Sequence, residues 1–162
     1  MNAVADRLAG GWVLVGGALV SLWLDSRRTT EDVDLFGIDG GQTARFELMK
    51  LAQDLGLSVE SVNSAADFFV QRIPGWEKEL EPLRAGAKGT VYRPTPTLFL
   101  MLKAARLSST DLDDCRAMIA KSRADHLPID VPRILGWIGE LPTMSDQALT
   151  ERRERLVELL DK

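Results

Sequence analysis

The stretch from residue 13 to residue 36 constrains the fold more than any other part of the 162-residue chain. It contains an apolar run, a Gly-Gly pair, a second apolar run and an Asp-x-Asp pattern. These features predict a short strand, a turn, a helix of about two turns and a second strand: Trp12–Val15, Gly16-Gly17, Ala18–Leu24 and Val33–Ile38. We therefore expect a small sheet with a helix between two of its strands.

Two aspartates, Asp32 and Asp34, stand at the beginning of this second strand. Because side chains alternate across a strand, residues two apart share a face. One face is expected to present Arg28, Thr30, Asp32 and Asp34, and the other Val33 and Leu35. Carboxylates at this spacing lie roughly 6.5 Å apart along the strand. Mg²⁺ binds through one or two carboxylates and phosphate oxygens, so the pair predicts a site for Mg²⁺ or Mn²⁺.

The Gly16-Gly17 turn opens the short helix. The backbone N–H groups at a helix N-terminus form a natural phosphate site. One segment thus predicts both a phosphate-binding turn and a metal-binding pair of carboxylates. In the simpler alternative, the glycines only make a turn and the aspartates only solubilise a strand edge.

The pair Gly16-Gly17, followed by Arg28-x-Thr30-x-Asp32-Val33-Asp34, resembles the polymerase β-type nucleotidyltransferase superfamily. Its signature is a Gly-Gly or Gly-Ser turn, a spacer helix and an Asp-x-Asp strand. The Arg-x-Thr-x-Asp-x-Asp form is similar to a subgroup of small bacterial nucleotidyltransferase-like proteins. Some relatives of that subgroup are toxins of abortive-infection or toxin–antitoxin pairs. The resemblance implies that the two glycines, Arg28 and Thr30 contact a nucleoside triphosphate and that the aspartates are catalytic metal ligands.

A second run, Leu102-Lys103-x-x-Arg106 and then Asp111-x-x-Asp114, resembles another motif of the same subgroup. The resemblance places Lys103 and Asp111 in the active site and Arg106 at the substrate. Each residue also has a simpler interpretation. Lys103 can lie at the rim of a buried helix face, Arg106 can pair with an aspartate, and first-turn acids stabilise the positive end of a helix.

Many members of the superfamily have a third carboxylate on a later strand, and this chain offers several candidates for it. Glu60 lies in a predicted third strand, Leu57–Val62, and Glu79 and Glu81 alternate along a predicted strand from residue 76 to residue 83. Asp111, in the helical part, is the remaining candidate.

Composition excludes several classes of protein and site. The chain has 20 basic and 24 acidic residues and a net charge of −4, which argues against nonspecific DNA binding through bulk charge. The single cysteine, Cys115, and the single histidine, His126, exclude an intramolecular disulfide and a multi-cysteine or histidine-rich metal site. No apolar run approaches the roughly 18 residues of a membrane span, and no signal segment is recognisable. We therefore expect a cytoplasmic protein without a membrane partner.

These observations predict an α+β fold, with a small mixed sheet flanked by helices. Residues 1–94 are expected to form the nucleotidyltransferase-like core, and residues 95–162 a helical part packed on it as one compact unit. The predicted activity is metal-dependent transfer of a nucleotidyl group from a nucleoside triphosphate to an acceptor. RNA such as tRNA, a protein and a small molecule remain alternatives for that acceptor, and a cognate antitoxin is an expected partner. The competing prediction is an inactive protein of this fold that binds nucleotide or a protein partner.

Overall fold

The computed structural model of the protein describes residues 1–24, 27, 30, 32–63, 66–142 and 146–161. These residues form a five-stranded sheet and eight α-helices, and the predicted α+β fold class is confirmed. The chain divides into two compact units, Met1–Pro94 and Thr95–Lys162. No helix within the described ranges is both long and apolar enough to span a bilayer.

The first unit contains the sheet. Its strands are β1 (Gly10–Val15), β2 (Val33–Gly37), β3 (Val62–Asn63), β4 (Leu80–Ala85) and β5 (Gly89–Pro94), in the spatial order β3-β2-β1-β5-β4. β1 runs antiparallel to β2 and parallel to β5, β3 is parallel to β2, and β4 is antiparallel to β5. Consecutive residues of the central strand, Val13 and Leu14, are both fully buried. Both faces of the sheet are therefore covered at this strand.

The helices of the first unit are α1 (Asn2–Arg7), α2 (Gly16–Trp23), α3 (Gly41–Asp54) and α4 (Ala66–Val70), and two 3₁₀ turns span Val59–Ser61 and Trp76–Glu79. α2 anchors its first half in the core through buried Ala18, Leu19 and Val20. The predicted strand–turn–helix–strand order is confirmed, with element bounds shifted by one or two residues.

The predicted third strand is mostly wrong, because only Val62 and Asn63 of this region pair with the sheet. The preceding residues form a 3₁₀ turn instead. The Ser61 hydroxyl donates to the carbonyl of Ser58 at 2.7 Å, and the Ser58 hydroxyl accepts from the Glu60 N–H at 3.3 Å. Local side-chain hydrogen bonds of this kind compete with strand pairing.

The predicted strand from residue 76 to residue 83 is wrong in its first half. Gly75 takes a left-handed conformation, and a 3₁₀ turn follows before β4 begins at Leu80. Trp76 is buried against Phe36 of β2, with ring centroids 6.1 Å apart. Burial of this large ring holds the segment as a turn, which the alternating charges of the sequence did not indicate.

The second unit is helical, as predicted, and consists of α5 (Pro96–Arg106), α6 (Ser109–Ala124), α7 (Val131–Glu140) and α8 (Gln147–Leu160). Side-chain caps begin these helices, since Thr95, Ser108, Asp130 and Asp146 each accept a hydrogen bond from a backbone N–H of the first turn. Its core is apolar and includes fully buried Leu98, Leu100, Met118, Ile134 and Leu156.

Candidate active site

Gly16 and Gly17 form the first turn of α2, directly after β1. Val15, the last residue of β1, pairs with Asp34 of β2 in the antiparallel register. A Cβ atom built on Gly16 would overlap with Oδ2 of Asp34, and one on Gly17 would lie 3.0 Å from Oγ1 of Thr30. Because neither glycine has a side chain, Thr30 and Asp34 can lie against the N-terminus of α2. The Gly-Gly turn therefore lies against Asp34, the second aspartate of the Asp-x-Asp motif.

The N-terminus of α2 offers backbone donors at this point. Gly16 and Gly17 are half-buried, and no described side chain caps the helix. The first N–H groups of a helix lack partners within the helix, and the helix dipole favours an anion there. This end of α2 therefore has the chemistry of a phosphate site, next to the half-buried Asp34.

Thr30 organises the backbone around Asp32. Its hydroxyl donates to the Asp32 carbonyl at 3.1 Å and accepts from the Asp32 N–H at 3.3 Å. Asp32 is exposed and lies one residue before β2 begins. Thr30 and Asp32 therefore precede the strand on which one shared face was expected, and the Thr30 hydroxyl bonds the backbone of Asp32. Arg28 lies outside the described residues.

Asn63 is a polar neighbour of Asp34 that no sequence motif indicated. The two residues are register partners in the parallel pair of β2 and β3. The Nδ2 atom of Asn63 donates to Oδ1 of Asp34 at 2.9 Å. The contact depends on the register of a two-residue strand, and no sequence pattern in this region specifies that register.

The third-carboxylate candidates of the first unit lie in different elements. Glu81 is on β4, and β1 and β5 separate that strand from β2, a distance of about 14 Å across the sheet. Its carboxylate pairs with Arg93 at 2.8 Å, and the Arg93 guanidinium lies 3.7 Å from the ring centroid of Trp23. Glu60 is exposed in a 3₁₀ turn, and Glu79 lies in the turn before β4. The described ranges contain no group of three or more His, Cys, Asp or Glu side chains that could hold a metal ion.

The second unit contains a compact ion cluster built from the second motif. The Lys103 amino group donates to Oδ1 of Asp111 at 2.9 Å and to Oδ2 of Asp114 at 2.7 Å. Arg106 donates to both oxygens of Asp111, at 2.8 and 2.9 Å. The exposed fraction is 1% for the Asp111 side chain, 12% for Lys103 and 79% for Arg106. The two aspartates are thus inside the unit, and Arg106 covers one of them from the surface.

Asp111 also begins a helix. Ser108 caps α6, and its N–H and hydroxyl both donate to Oδ2 of Asp111, at 3.0 and 2.8 Å. The helix starts at Ser109, and its capping box joins Ser108 and Asp111. Asp111 therefore accepts hydrogen bonds from three residues, which supports the simpler, structural interpretation of this carboxylate. Catalytic roles for Lys103 and Asp111 stay predictions.

The environment of Asp111 makes the stability of the chain depend on pH. Burial alone would raise the pKa of Asp111, but hydrogen bonds from Arg106, Lys103 and Ser108 hold that pKa well below its usual range. The stabilisation is present above the unfolded-state pKa of about 3.9 and is lost as the pH falls towards the folded-state pKa. Thermal melts should therefore show a falling melting temperature from about pH 4 downwards.

The matched test compares Asp111→Asn with Asp113→Asn, which changes an exposed carboxylate of the same helix turn. Asp111→Asn should melt lower at pH 7 and lose less on acidification, whereas Asp113→Asn should follow the wild type. Parallel pH profiles for wild type and Asp111→Asn would contradict the assignment.

Residues 1–79 match the family model described as "Nucleotidyl transferase AbiEii toxin, Type IV TA system". Over this segment, just under half of the chain, the protein is similar to the AbiEii toxin family. The match confirms the resemblance to abortive-infection nucleotidyltransferases, and the AbiEii segment (residues 1–79) contains Gly16, Gly17, Asp34 and Asn63. It ends before β4, so the ion cluster of the second unit lies outside it. Neither a curated protein nor a solved structure matches the chain.

The contact between the turn and Asp34 predicts different sensitivities for the two glycines of the AbiEii segment. Gly16 has φ of +69°, so an alanine there is strained by about 1–3 kcal/mol and also displaces the Asp34 carboxylate. Gly17 has no positive φ and needs only a small shift of Thr30. Thermal melts and nucleotide titrations should show lower stability and lost binding for Gly16→Ala. Equal effects of Gly17→Ala would disprove the specific contact with Asp34.

Proposed function

We propose that the protein transfers a nucleotidyl group from a nucleoside triphosphate to an acceptor in a metal-dependent reaction. The observation that supports it best is the direct contact between the Gly16-Gly17 turn and Asp34. It joins a helix N-terminus suited to phosphate with a carboxylate suited to a hard cation. The AbiEii match supports the same class of reaction.

The roles of the residues follow from their chemistry. The N–H groups at the start of α2 bind phosphate oxygens of the triphosphate. The carboxylates of Asp32 and Asp34 hold Mg²⁺ or Mn²⁺, and their oxygen donors fit such a cation. The bound cation supplies charge stabilisation on the phosphoryl oxygens. Thr30 keeps Asp32 in place through its two hydrogen bonds to that residue's backbone, and Arg28 neutralises triphosphate charge.

The cations of the second motif, Lys103 and Arg106, differ in how readily they can contact a substrate. Lys103 already pairs with two buried carboxylates, so it can contact a phosphate only by giving up one of them. Arg106 is largely exposed and is the more accessible cation of the cluster. We therefore assign substrate contact to Arg106 before Lys103, and we assign Asp111 the task of holding both cations in position.

The biological role that we propose is the toxin of a toxin–antitoxin pair acting in the cytoplasm. The AbiEii match supports a cognate antitoxin as partner. The acceptor classes to be assayed are RNA, including tRNA, protein and small molecules.

A second candidate is a catalytically inactive binder of nucleotide. It is favoured by one observation, since the described residues place no third carboxylate beside Asp34. A site with two carboxylates offers a divalent cation fewer charged ligands than a site with three, and it therefore binds the cation less tightly.

Incubation with each labelled triphosphate, Mg²⁺ or Mn²⁺, and separate pools of cell RNA and protein distinguishes the two candidates. The transferase labels one acceptor pool from one or more triphosphates and stops when EDTA removes the metal. Nucleotide binding without transfer to either pool would favour the binder.

A further inference from the structure

The carboxylate of Asp34 is held from two sides. On one side, the short strand β3 runs parallel to β2 and brings Asn63 level with Asp34. The Asn63 amide donates to Oδ1 at 2.9 Å. On the other side, Oδ2 lies where a side chain of Gly16 would be. The orientation of the carboxylate is therefore set by an amide and by the first residue of α2.

We propose that Asn63 positions the Asp34 carboxylate for metal binding. Because the Asn63 amide is neutral, it adds no third carboxylate to Asp32 and Asp34 at the metal site. This inference rests on the proposed function, in which Asp34 binds the cation. Residues that orient metal ligands through hydrogen bonds contribute strongly to metal affinity.

An amide and a carboxylate at position 63 affect Asp34 and the bound cation in opposite ways. An amide donates a hydrogen bond to Asp34 and adds no charge. A carboxylate at the same place accepts only, so it repels Asp34 while no cation is bound. Once a hard cation is present, that third carboxylate becomes an additional charged oxygen ligand. The two substitutions Asn63→Ala and Asn63→Asp should therefore change metal affinity in opposite directions.

The position is suited to substitution, because Asn63 is exposed and β3 contains only two residues. Asn63→Ala removes the amide donor and with it one of the two constraints on the Asp34 carboxylate. We expect it to weaken Mn²⁺ binding by roughly 10- to 100-fold. Asn63→Asp should strengthen Mn²⁺ binding by about tenfold or more through the extra charged ligand. It should also lower the melting temperature in EDTA, because two adjacent carboxylates then repel.

The experiment titrates Mn²⁺ alone into the full chain and measures free Mn²⁺ by electron paramagnetic resonance, with thermal melts in EDTA and in Mn²⁺. The variants are Asn63→Ala, Asn63→Asp and Asp34→Asn. Gln53→Glu is the matched control, because it makes the same amide-to-carboxylate change at an exposed position of α3. The control should bind Mn²⁺ as the wild type does.

Weaker binding by Asn63→Ala together with tighter binding by Asn63→Asp supports the inference. If both variants stay within twofold of the wild type while Asp34→Asn abolishes binding, the role of Asn63 is overturned and the proposed function stands. If Asp34→Asn leaves Mn²⁺ binding unchanged, the metal site itself is overturned, and the inference with it. Should Asn63→Asp fail to fold, Asn63→Ala decides the positioning role by itself.

Discussion

Replacement of Asp34 by asparagine should abolish nucleotidyl transfer and leave the protein folded. The substitution keeps the size and shape of the side chain and removes the negative charge that a metal ligand needs. Metal-assisted charge stabilisation supplies several kcal/mol of a phosphoryl-transfer barrier. At about tenfold per 1.4 kcal/mol, the expected loss of rate is roughly a thousandfold or more. Transfer of labelled nucleotide at saturating triphosphate and Mg²⁺ measures it.

The fold should tolerate this change. The amide oxygen introduced by Asp34→Asn can still accept the hydrogen bond that Asn63 donates. The melting temperature in EDTA should therefore be equal to that of the wild type or higher, because the charge beside Asp32 is gone.

Asp39→Asn is the matched control for this prediction. Asp39 is exposed and lies in the turn after β2, beyond the strand end at Gly37, which is about 10 Å from Asp34 along the strand. The Asp39→Asn variant should transfer labelled nucleotide at the wild-type rate. Equal transfer by wild type and Asp34→Asn would remove Asp34 from the chemistry, and equal loss in both variants would show that the effect is not specific to the site.

The second large effect concerns the ion cluster of the second unit. Lys103→Met removes a cation that bonds both Asp111 and Asp114. Asp114 is 6% exposed and Asp111 1%, so two buried carboxylates lose a cation, while Asp111 keeps its bonds from Arg106. Breaking a buried pair by removing one partner typically costs 3–5 kcal/mol, whereas an exposed pair contributes about 0–1 kcal/mol.

Lys121→Met provides the comparison, because it makes the same substitution in α6 at an exposed pair with Asp125. We expect Lys103→Met to lower the free energy of unfolding by about 3–5 kcal/mol and Lys121→Met by less than about 1 kcal/mol. Similar losses for the two variants would show that the cluster contributes no more than a surface ion pair does.

The thiol of Cys115 can report the stability of the second unit. Cys115 is the single cysteine and is fully buried in α6. Burial raises the pKa of its thiol to about 12, and the nearby Lys103 lowers it only partly. Thiol labelling at pH 8 should therefore be slow in the native wild type and should report the opening of the second unit. Lys103→Met should accelerate labelling by the factor that corresponds to its loss of stability, at about tenfold per 1.4 kcal/mol.

The parts of this protein that the sequence determined are those that depend on neighbours along the chain. The Gly16-Gly17 turn, the helix that follows it and the N-cap at Thr95 each involve contacts within a few residues. Local patterns of this kind were enough to predict the α+β class and the resemblance to abortive-infection nucleotidyltransferases. The same local reasoning failed between residues 57 and 79, where serine hydrogen bonds and the burial of Trp76 replaced the expected strands.

The tertiary structure decided which polar groups meet. Asn63 lies beside Asp34 because two strands pair in one register, and a shift by one residue would turn its side chain to the other face. Glu81 lies beside Arg93 because β4 pairs with β5 at the far side of the sheet. Asp111 is surrounded by donors because α5 and α6 bury it, and its depressed pKa follows from that burial and pairing. Register and burial arise from contacts between distant parts of the chain. Local sequence therefore determined the glycine turn and the positions of the two aspartates along the chain. The tertiary fold determined which neighbours orient the Asp34 carboxylate and lower the pKa of Asp111.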